Sequence, residues 1–153
     1  MKRLTICALA LGIVASIAGT ILAHCEVPCG IYGDQRRFEE MLEDHDTIAK
    51  AITNINELSK KSDAASKNQL VRWINTKESH ATNTQNIIAQ YFMTQRIKAS
   101  GDGYTKKLTS AHAVMVAAMK CKQTVDAGSA TALKKAIHDF YRAYEGNEPN
   151  LEH

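Results

Sequence analysis

Proline is scarce in this chain. Pro28 and Pro149 are the only two prolines among its 153 residues. The long interval between them therefore contains no residue that would break a helix by removing a backbone donor. Alternating runs of β-branched residues, which are typical of strands, are also few in this interval. The two absences disfavour a β-sheet protein and favour long helices.

The first 23 residues have the layout of a secretory leader. Lys2 and Arg3 precede an uncharged, largely apolar stretch from Leu4 to Leu22, and a small residue, Ala23, follows it. This order is typical of a signal peptide. We therefore expect a cleaved leader over residues 1–23, a mature domain over 24–153, and export to the periplasm or the extracellular space.

Two alternatives to a cleaved leader remain. The apolar stretch approaches the length of a membrane anchor, although no cluster of basic residues follows it as a stop-transfer signal would require. The sequence around Cys25 also resembles a lipobox, but His24 occupies the place that needs a small residue. Cleavage after Ala23 is the favoured interpretation, with a leader peptidase as the processing partner and no membrane association afterwards.

The chain lacks a strong excess of either charge. Without Lys2 and Arg3 it has 17 basic residues against 16 acidic ones. This balance disfavours nucleic acid or an anionic membrane as the main partner. The same cleavage would leave three cysteines, Cys25, Cys29 and Cys121. Because three is an odd number, at least one thiol would stay free, pair between chains or bind a ligand.

The first half of the mature chain predicts two helices. Asp34 is a predicted N-cap for the first, and the polar stretch 59–63 is the predicted connection. The second is predicted to run to about Lys98, with a break or kink within the polar stretch 75–86. The predicted inward residues recur every three or four positions: Phe38, Met41, Leu42, Ile48, Ala49, Ile52, Ile55 and Leu58, then Leu70, Trp73, Ile74, Ala81, Ile88, Tyr91 and Phe92.

The second half predicts two more helices after a turn at 100–103. Gly128 and Ser129 are predicted to end the third helix, with Ser129 as the N-cap of the fourth and a polar tail after Gly146. The predicted inward residues are Leu108, Ala111, Met115, Ala118, Met119 and Val125, then Leu133, Ala136, Ile137, Phe140 and Tyr144. Four amphipathic helices with short links predict an all-α, antiparallel four-helix bundle, preceded by an irregular N-terminal segment.

That irregular segment is HCEVPCGIY, residues 24–32, which we call the hook. Cut after Ala23, it offers the α-amine and imidazole of His24, the amide nitrogen of Cys25, and the thiolates of Cys25 and Cys29. The amine, the amide and the two thiolates can form a planar set, which suits nickel(II) or copper(II) and not tetrahedral zinc. A small Cys25–Cys29 disulfide is the alternative.

The hook resembles the nickel hook of nickel superoxide dismutases, in which the pattern H-C-x-x-P-C-G-x-Y stands at a processed N-terminus. Every fixed position of the pattern is met, by His24, Cys25, Pro28, Cys29, Gly30 and Tyr32. The family's four-helix bundle agrees with the predicted helices. The resemblance implies an enzyme that disproportionates superoxide to dioxygen and hydrogen peroxide by Ni(II)/Ni(III) cycling, with one nickel ion per subunit, in a homohexamer.

The resemblance also implies roles for individual residues. His24, Cys25 and Cys29 would hold the metal. Tyr32 would lie over its open face, and Tyr91 would line the same pocket. A glutamate early in the first helix would orient the imidazole; Glu39 is the first choice for it and Glu40 the second. The family's arginine from the second helix has no counterpart near residues 77–80.

Two other classes of protein also have helical bundles. A carboxylate-bridged di-iron site in a bundle needs Glu-x-x-His, and no histidine in the predicted helices has an acidic residue three positions before it. A non-enzymatic exported bundle, which binds metal or carries a Cys25–Cys29 disulfide, has the same predicted fold and stays open as the alternative function. Cys121 is predicted to be a small buried residue of the third helix.

Overall fold

The computed structural model describes Glu26 and residues 33–150. These contain four α-helices: α1, Gln35–Leu58; α2, Ala64–Asn86; α3, Tyr104–Gln123; and α4, Ala127–Glu145. A π-helical segment, Ile87–Arg96, continues α2. This part of the chain contains no strand, so the all-α prediction is confirmed. None of these helices is both long enough and apolar enough to cross a membrane.

The packing of the four helices is that expected of a four-helix bundle. Each helix packs against the next one in the chain, and α1 also packs against α4, which closes the ring. The connections are short, and short connections place consecutive helices side by side in opposite directions. The predicted bundle is consistent with this arrangement, whereas the hook, apart from Glu26, lies outside the described residues.

An aromatic cluster fills one end of the bundle, where α1 begins and the π-helical segment and α4 end. The Phe38 ring centroid lies 4.9 Å from that of Phe92 and 5.2 Å from that of Phe140. Tyr144 stands edge-on to Phe92 at 5.1 Å. Phe38, Phe92 and Phe140 are fully buried. Because such ring pairs add to the free energy gained by burial alone, they stabilise the end of the bundle at which α1 begins.

α1 begins where the sequence predicts, because Asp34 is its N-cap residue. The Asp34 side chain makes no capping hydrogen bond. Its carboxylate turns instead toward Tyr91, Arg96 and Tyr144, because these three strong donors compete for the same oxygens. Gly33 just before it has φ +79°, a conformation that glycine adopts without steric cost.

The predicted break in α2 is displaced along the chain. The polar stretch 75–86 remains α-helical, and the hydrogen-bonding register changes just after it, at Ile87. Ile74, which was predicted to be buried, is 38% exposed. Lys77 is buried instead, and its Nζ donates to the backbone oxygens of Cys121 and Lys122 at 2.7 and 2.8 Å. A lysine can thus lie between helices where it satisfies carbonyls at a helix end.

The junction of α3 and α4 also corrects the prediction. The structure ends α3 at Gln123, and Val125 is 40% exposed. Asp126 is the N-cap of α4 and accepts from the Gly128 backbone N–H at 3.2 Å. Ser129 lies inside the first turn, where its hydroxyl donates to the Asp126 backbone oxygen. Ser129 as N-cap was therefore wrong; a carboxylate satisfies the orphan donors and also faces the positive end of the helix dipole. Met119, also predicted inward, is 38% exposed.

Candidate metal centre

Glu26 is the hook residue that the structure describes, and two side chains of the bundle hold it. Arg37 Nη2 on α1 donates to Glu26 Oε1 at 2.8 Å. Gln95 Nε2 on the π-helical segment donates to the Glu26 backbone oxygen at 3.0 Å. Both the side chain and the backbone of Glu26 are therefore fixed. These contacts place Glu26, the residue that follows Cys25 in the sequence, at the aromatic end of the bundle.

Arg37 connects the hook to two further residues. Its Nη1 donates to Glu40 Oε2 at 2.8 Å, and its guanidinium lies 5.0 Å from the centre of the Tyr91 ring. The Arg37 side chain is only 17% exposed. A charge-assisted pair with this little exposure is stronger than a surface ion pair. Arg37 thus joins Glu26, Glu40 and the face of Tyr91 in one group.

Asp34 is the second centre of polar contacts at this end. The Tyr91 hydroxyl donates to its Oδ1, and the Tyr144 hydroxyl donates to its Oδ2. Arg96 Nε and Nη2 also donate to Oδ2, at 2.9 and 2.8 Å. Burial alone would raise the pKa of Asp34, but the hydrogen bonds from Tyr144, Tyr91 and Arg96 outweigh it, so the pKa lies below its ordinary value of 3.8. Asp34 is therefore a carboxylate in neutral solution.

The π-helical register brings the donors of Asp34 together. Tyr91 and Arg96 are five residues apart, and in an α-helix residues with that spacing point about 140° apart. A turn closed by i→i+5 hydrogen bonds brings residues five apart toward one side of the helix. The Thr94 hydroxyl, which donates to the Ala89 backbone oxygen five residues earlier at 2.6 Å, follows the same spacing. Because of this register, one carboxylate can accept from both Tyr91 and Arg96.

The structure describes some of the predicted site residues and not others. His24, Cys25, Cys29 and Tyr32 lie outside the described residues. Tyr91 is fully buried at the end of the bundle that holds Glu26. Its predicted place in the pocket of the hook stays a prediction.

The two glutamates of the first helix make different contacts. Glu39 accepts from Gln35 Nε2 at 3.0 Å. Glu40 accepts from Arg37, the arginine that also holds Glu26. The orienting role of Glu39 stays a prediction, and Glu40 is connected to the hook through one intervening side chain.

One thiol and several histidines lie within the bundle itself. Cys121 is free and fully buried, as expected for a small core residue. His45 and His80 are each paired with a neighbouring aspartate, Asp46 and Asp44. Across Glu26 and residues 33–150, the structure brings no three His, Cys, Asp or Glu side chains close enough to hold a metal ion.

Sequence reasoning missed Arg37 and Gln95 as partners of Glu26, and Arg96 as a partner of Asp34. Arg37 did carry a signal. The first turn of α1 contains no acidic residue and has two arginines after Gln35, although a positive charge there opposes the helix dipole. An arginine in this position indicates an acidic partner outside the first turn, as Arg37 has in Glu26 and Glu40. Gln95 and Arg96 carried no such signal, because their positions depend on the π-helical register.

The described part of the chain is all-helical, and an imidazole and two thiols occur in the sequence just before it, a combination compatible with a helical metalloprotein. The family model of nickel-containing superoxide dismutase matches residues 19–148, and the chain belongs to this family. It is an oxidoreductase that acts on superoxide, with nickel as its metal. No curated protein and no solved structure matches the chain.

Proposed function

We propose that this superoxide dismutase binds its nickel in the hook, at an N-terminus created by cleavage after Ala23. The ligands are the α-amine and imidazole of His24, the amide nitrogen and thiolate of Cys25, and the thiolate of Cys29. The tether of Glu26 to Arg37 and Gln95 is the observation that carries this proposal. It holds the residue next to Cys25 against the bundle, as a site built on a short segment requires.

The donor chemistry of these groups fits nickel. Thiolates and a deprotonated amide are strong donors, and a planar arrangement suits nickel(II). When bound, nickel supplies the one-electron exchange by which one superoxide is oxidised to dioxygen and a second, with two protons, is reduced to hydrogen peroxide. The protein's part is to fix the donors, limit access and supply protons.

Each predicted residue of the surroundings has a separate task in this proposal. Tyr32 limits access to the open face of the site, which protects the thiolates of Cys25 and Cys29 from oxidation. Glu39 accepts from the imidazole N–H of His24 and so orients the ring. Tyr91 lines the pocket from the side of the bundle; its burial and its contact with Arg37 support this place.

The proposal also covers the export, processing and assembly of the protein. The leader over residues 1–23 directs export to the periplasm or the extracellular space, and a leader peptidase exposes His24. The family resemblance supports a homohexamer. The alternative of a non-enzymatic disulfide module has no observation in its favour, because the chain belongs to a dismutase family.

One added residue tests the proposal directly. A chain that begins at His24 should bind nickel and dismutate superoxide. The same chain with one glycine before His24 should lose both properties, because the α-amine moves out of its chelate ring, whereas its helical circular dichroism should not change. The matched control carries the glycine after His153 and should behave as the parent chain. Full activity in the chain extended before His24 would overturn the proposed ligand set.

A further inference from the structure

We propose that Asp34 is a positioning residue of the dismutase, which fixes the Tyr91 hydroxyl and the point where the hook joins α1. The inference rests on the proposed function, since it takes the nickel site to lie in the hook. It assigns Asp34 a role beyond that of the helix N-cap which its place in the sequence suggests.

The contacts of Asp34 exceed the needs of a helix start. Its side chain is 4% exposed, and it accepts from Tyr91, Tyr144 and the guanidinium of Arg96. A buried carboxylate costs free energy unless it is paired and hydrogen-bonded. Here both oxygens are occupied by donors from the π-helical segment and from α4. Asp34 therefore joins three elements of the bundle at one point.

The backbone of Asp34 is fixed as firmly as its side chain. Its carbonyl oxygen accepts from the Arg37 backbone N–H at 3.0 Å. Gly33, immediately before it, has φ +79°, a conformation that favours glycine. The hook ends at Tyr32, next to Gly33 in the sequence. With its carbonyl and carboxylate both held, Asp34 fixes the end of the bundle to which the hook is joined in the sequence.

A continuous set of contacts leads from Asp34 into the hook. The Tyr91 hydroxyl donates a hydrogen bond to Asp34 Oδ1, which fixes the direction of the hydroxyl hydrogen. The ring of Tyr91 lies beside the guanidinium of Arg37, and Arg37 binds Glu26. Asp34 thus acts on the hook through Tyr91 and Arg37 as well as through the backbone.

The decisive comparison is Asp34→Asn against Asp44→Asn. Asp44 lies about 15 Å further along α1, is equally buried, and accepts from three side chains, His80, Asn83 and Thr84. The substitution therefore makes the same chemical change away from the hook. In chains processed to His24, Asp34→Asn should weaken nickel binding about tenfold, as loss of outer partners of a metal site does. Asp44→Asn should change it by less than about twofold.

A double-substitution cycle separates positioning from a general loss of structure. Asp34 acts through Tyr91. Asp34→Asn should therefore lower nickel affinity and kcat/KM per bound nickel less in a chain that already carries Tyr91→Phe than in the parent chain. Fully additive effects would overturn the inference. If Asp34→Asn does not fold, Tyr91→Phe breaks the same hydrogen bond from the other side, and Tyr144→Phe serves as its control. Equal nickel affinities of those two variants would then overturn it.

The parent protein separates failure of the inference from failure of the proposed function. If the chain processed to His24 neither binds nickel nor turns over superoxide, the proposed site is wrong. If it does both, and the Asp34 and Asp44 variants bind nickel equally well, the site stands and Asp34 has no positioning role.

Discussion

Arg37 and Glu26 form an ion pair at 2.8 Å that joins the first helix to the hook. Arg37 follows Glu26 by eleven residues, and the hook residues 27–32 lie between them in the sequence. The pair therefore closes a loop of the chain that includes Cys29. Closing a loop of this length restricts the conformations that its residues can adopt. We therefore expect the ion pair to preorganise Cys29, one of the proposed metal ligands.

Arg37→Gln should weaken nickel binding about tenfold, because it removes the charged donor to Glu26. Arg36→Gln is the matched control: Arg36 also pairs with Glu40, but its side chain is 73% exposed, and such pairs contribute little. Competition with a chelator measures both affinities. Equal affinities of the two variants would show that the tether does not prepare the site.

The three cysteines of the predicted mature chain should behave as two classes. Cys25→Ser and Cys29→Ser should leave a folded bundle that holds no nickel, because a hydroxyl does not replace a thiolate as a soft ligand. Cys121→Ala removes a fully buried thiol and should lower stability by about 1 kcal/mol while one nickel per chain remains. Elemental analysis and thermal unfolding give the two readouts. Tight nickel retention in both serine variants would contradict the ligand assignment.

Glu39→Gln and Glu40→Gln separate the two glutamates of the first turns of α1. If Glu39 orients the His24 imidazole, Glu39→Gln should lower kcat/KM about tenfold or more at full nickel loading. Glu40→Gln should instead act on nickel affinity, since Glu40 shares Arg37 with Glu26. The reverse result would assign the orienting role to Glu40.

The stability of the bundle should fall in mild acid because of His45. Burial lowers the pKa of His45 below 6.5, against the opposing hydrogen bond to Asp46, and Lys134 lowers it further. The unfolded chain therefore binds a proton more readily than the folded one, and stability is lost as the pH falls below 6.5. Burial lowers the pKa of His138 as well.

His45→Gln should therefore flatten the acid loss of stability without abolishing it. Urea unfolding at several pH values from about 7.5 to about 5.5, a range that spans the ordinary pKa of histidine, measures the slope for both proteins. His112→Gln is the control, since His112 is exposed. A slope that is unchanged in His45→Gln would mean that His45 titrates in the folded protein as it does in the unfolded chain.

The helices could be predicted from sequence because their apolar residues recur with helical spacing, and the burial of Phe38, Ile88 and Phe140 followed from it. The caps were less predictable. Asp34 has the residue type of an N-cap, yet its carboxylate is used by donors distant in sequence. Local preference fails where tertiary partners offer stronger hydrogen bonds.

The candidate site divides in the same way. The proposed metal ligands follow from the sequence alone, because donor type and order are local properties of residues 24–29, and they stay a prediction. Their surroundings could not be predicted, since Gln95 and Arg96 face the hook and Asp34 only because the helix changes register at Ile87. The polar stretch before Ile87 has no periodicity that would predict this change of register.

A native mass spectrum of the protein, isolated from its own compartment after growth with nickel, tests the central claim most directly. The account predicts a subunit that begins at His24, with one nickel ion per chain, in an assembly of six chains. A chain that retains residues 1–23 would contradict the account, because the α-amine of His24 would not exist as a ligand. A subunit cut at His24 but free of metal and two hydrogens lighter would contradict it as well, and would indicate the Cys25–Cys29 disulfide.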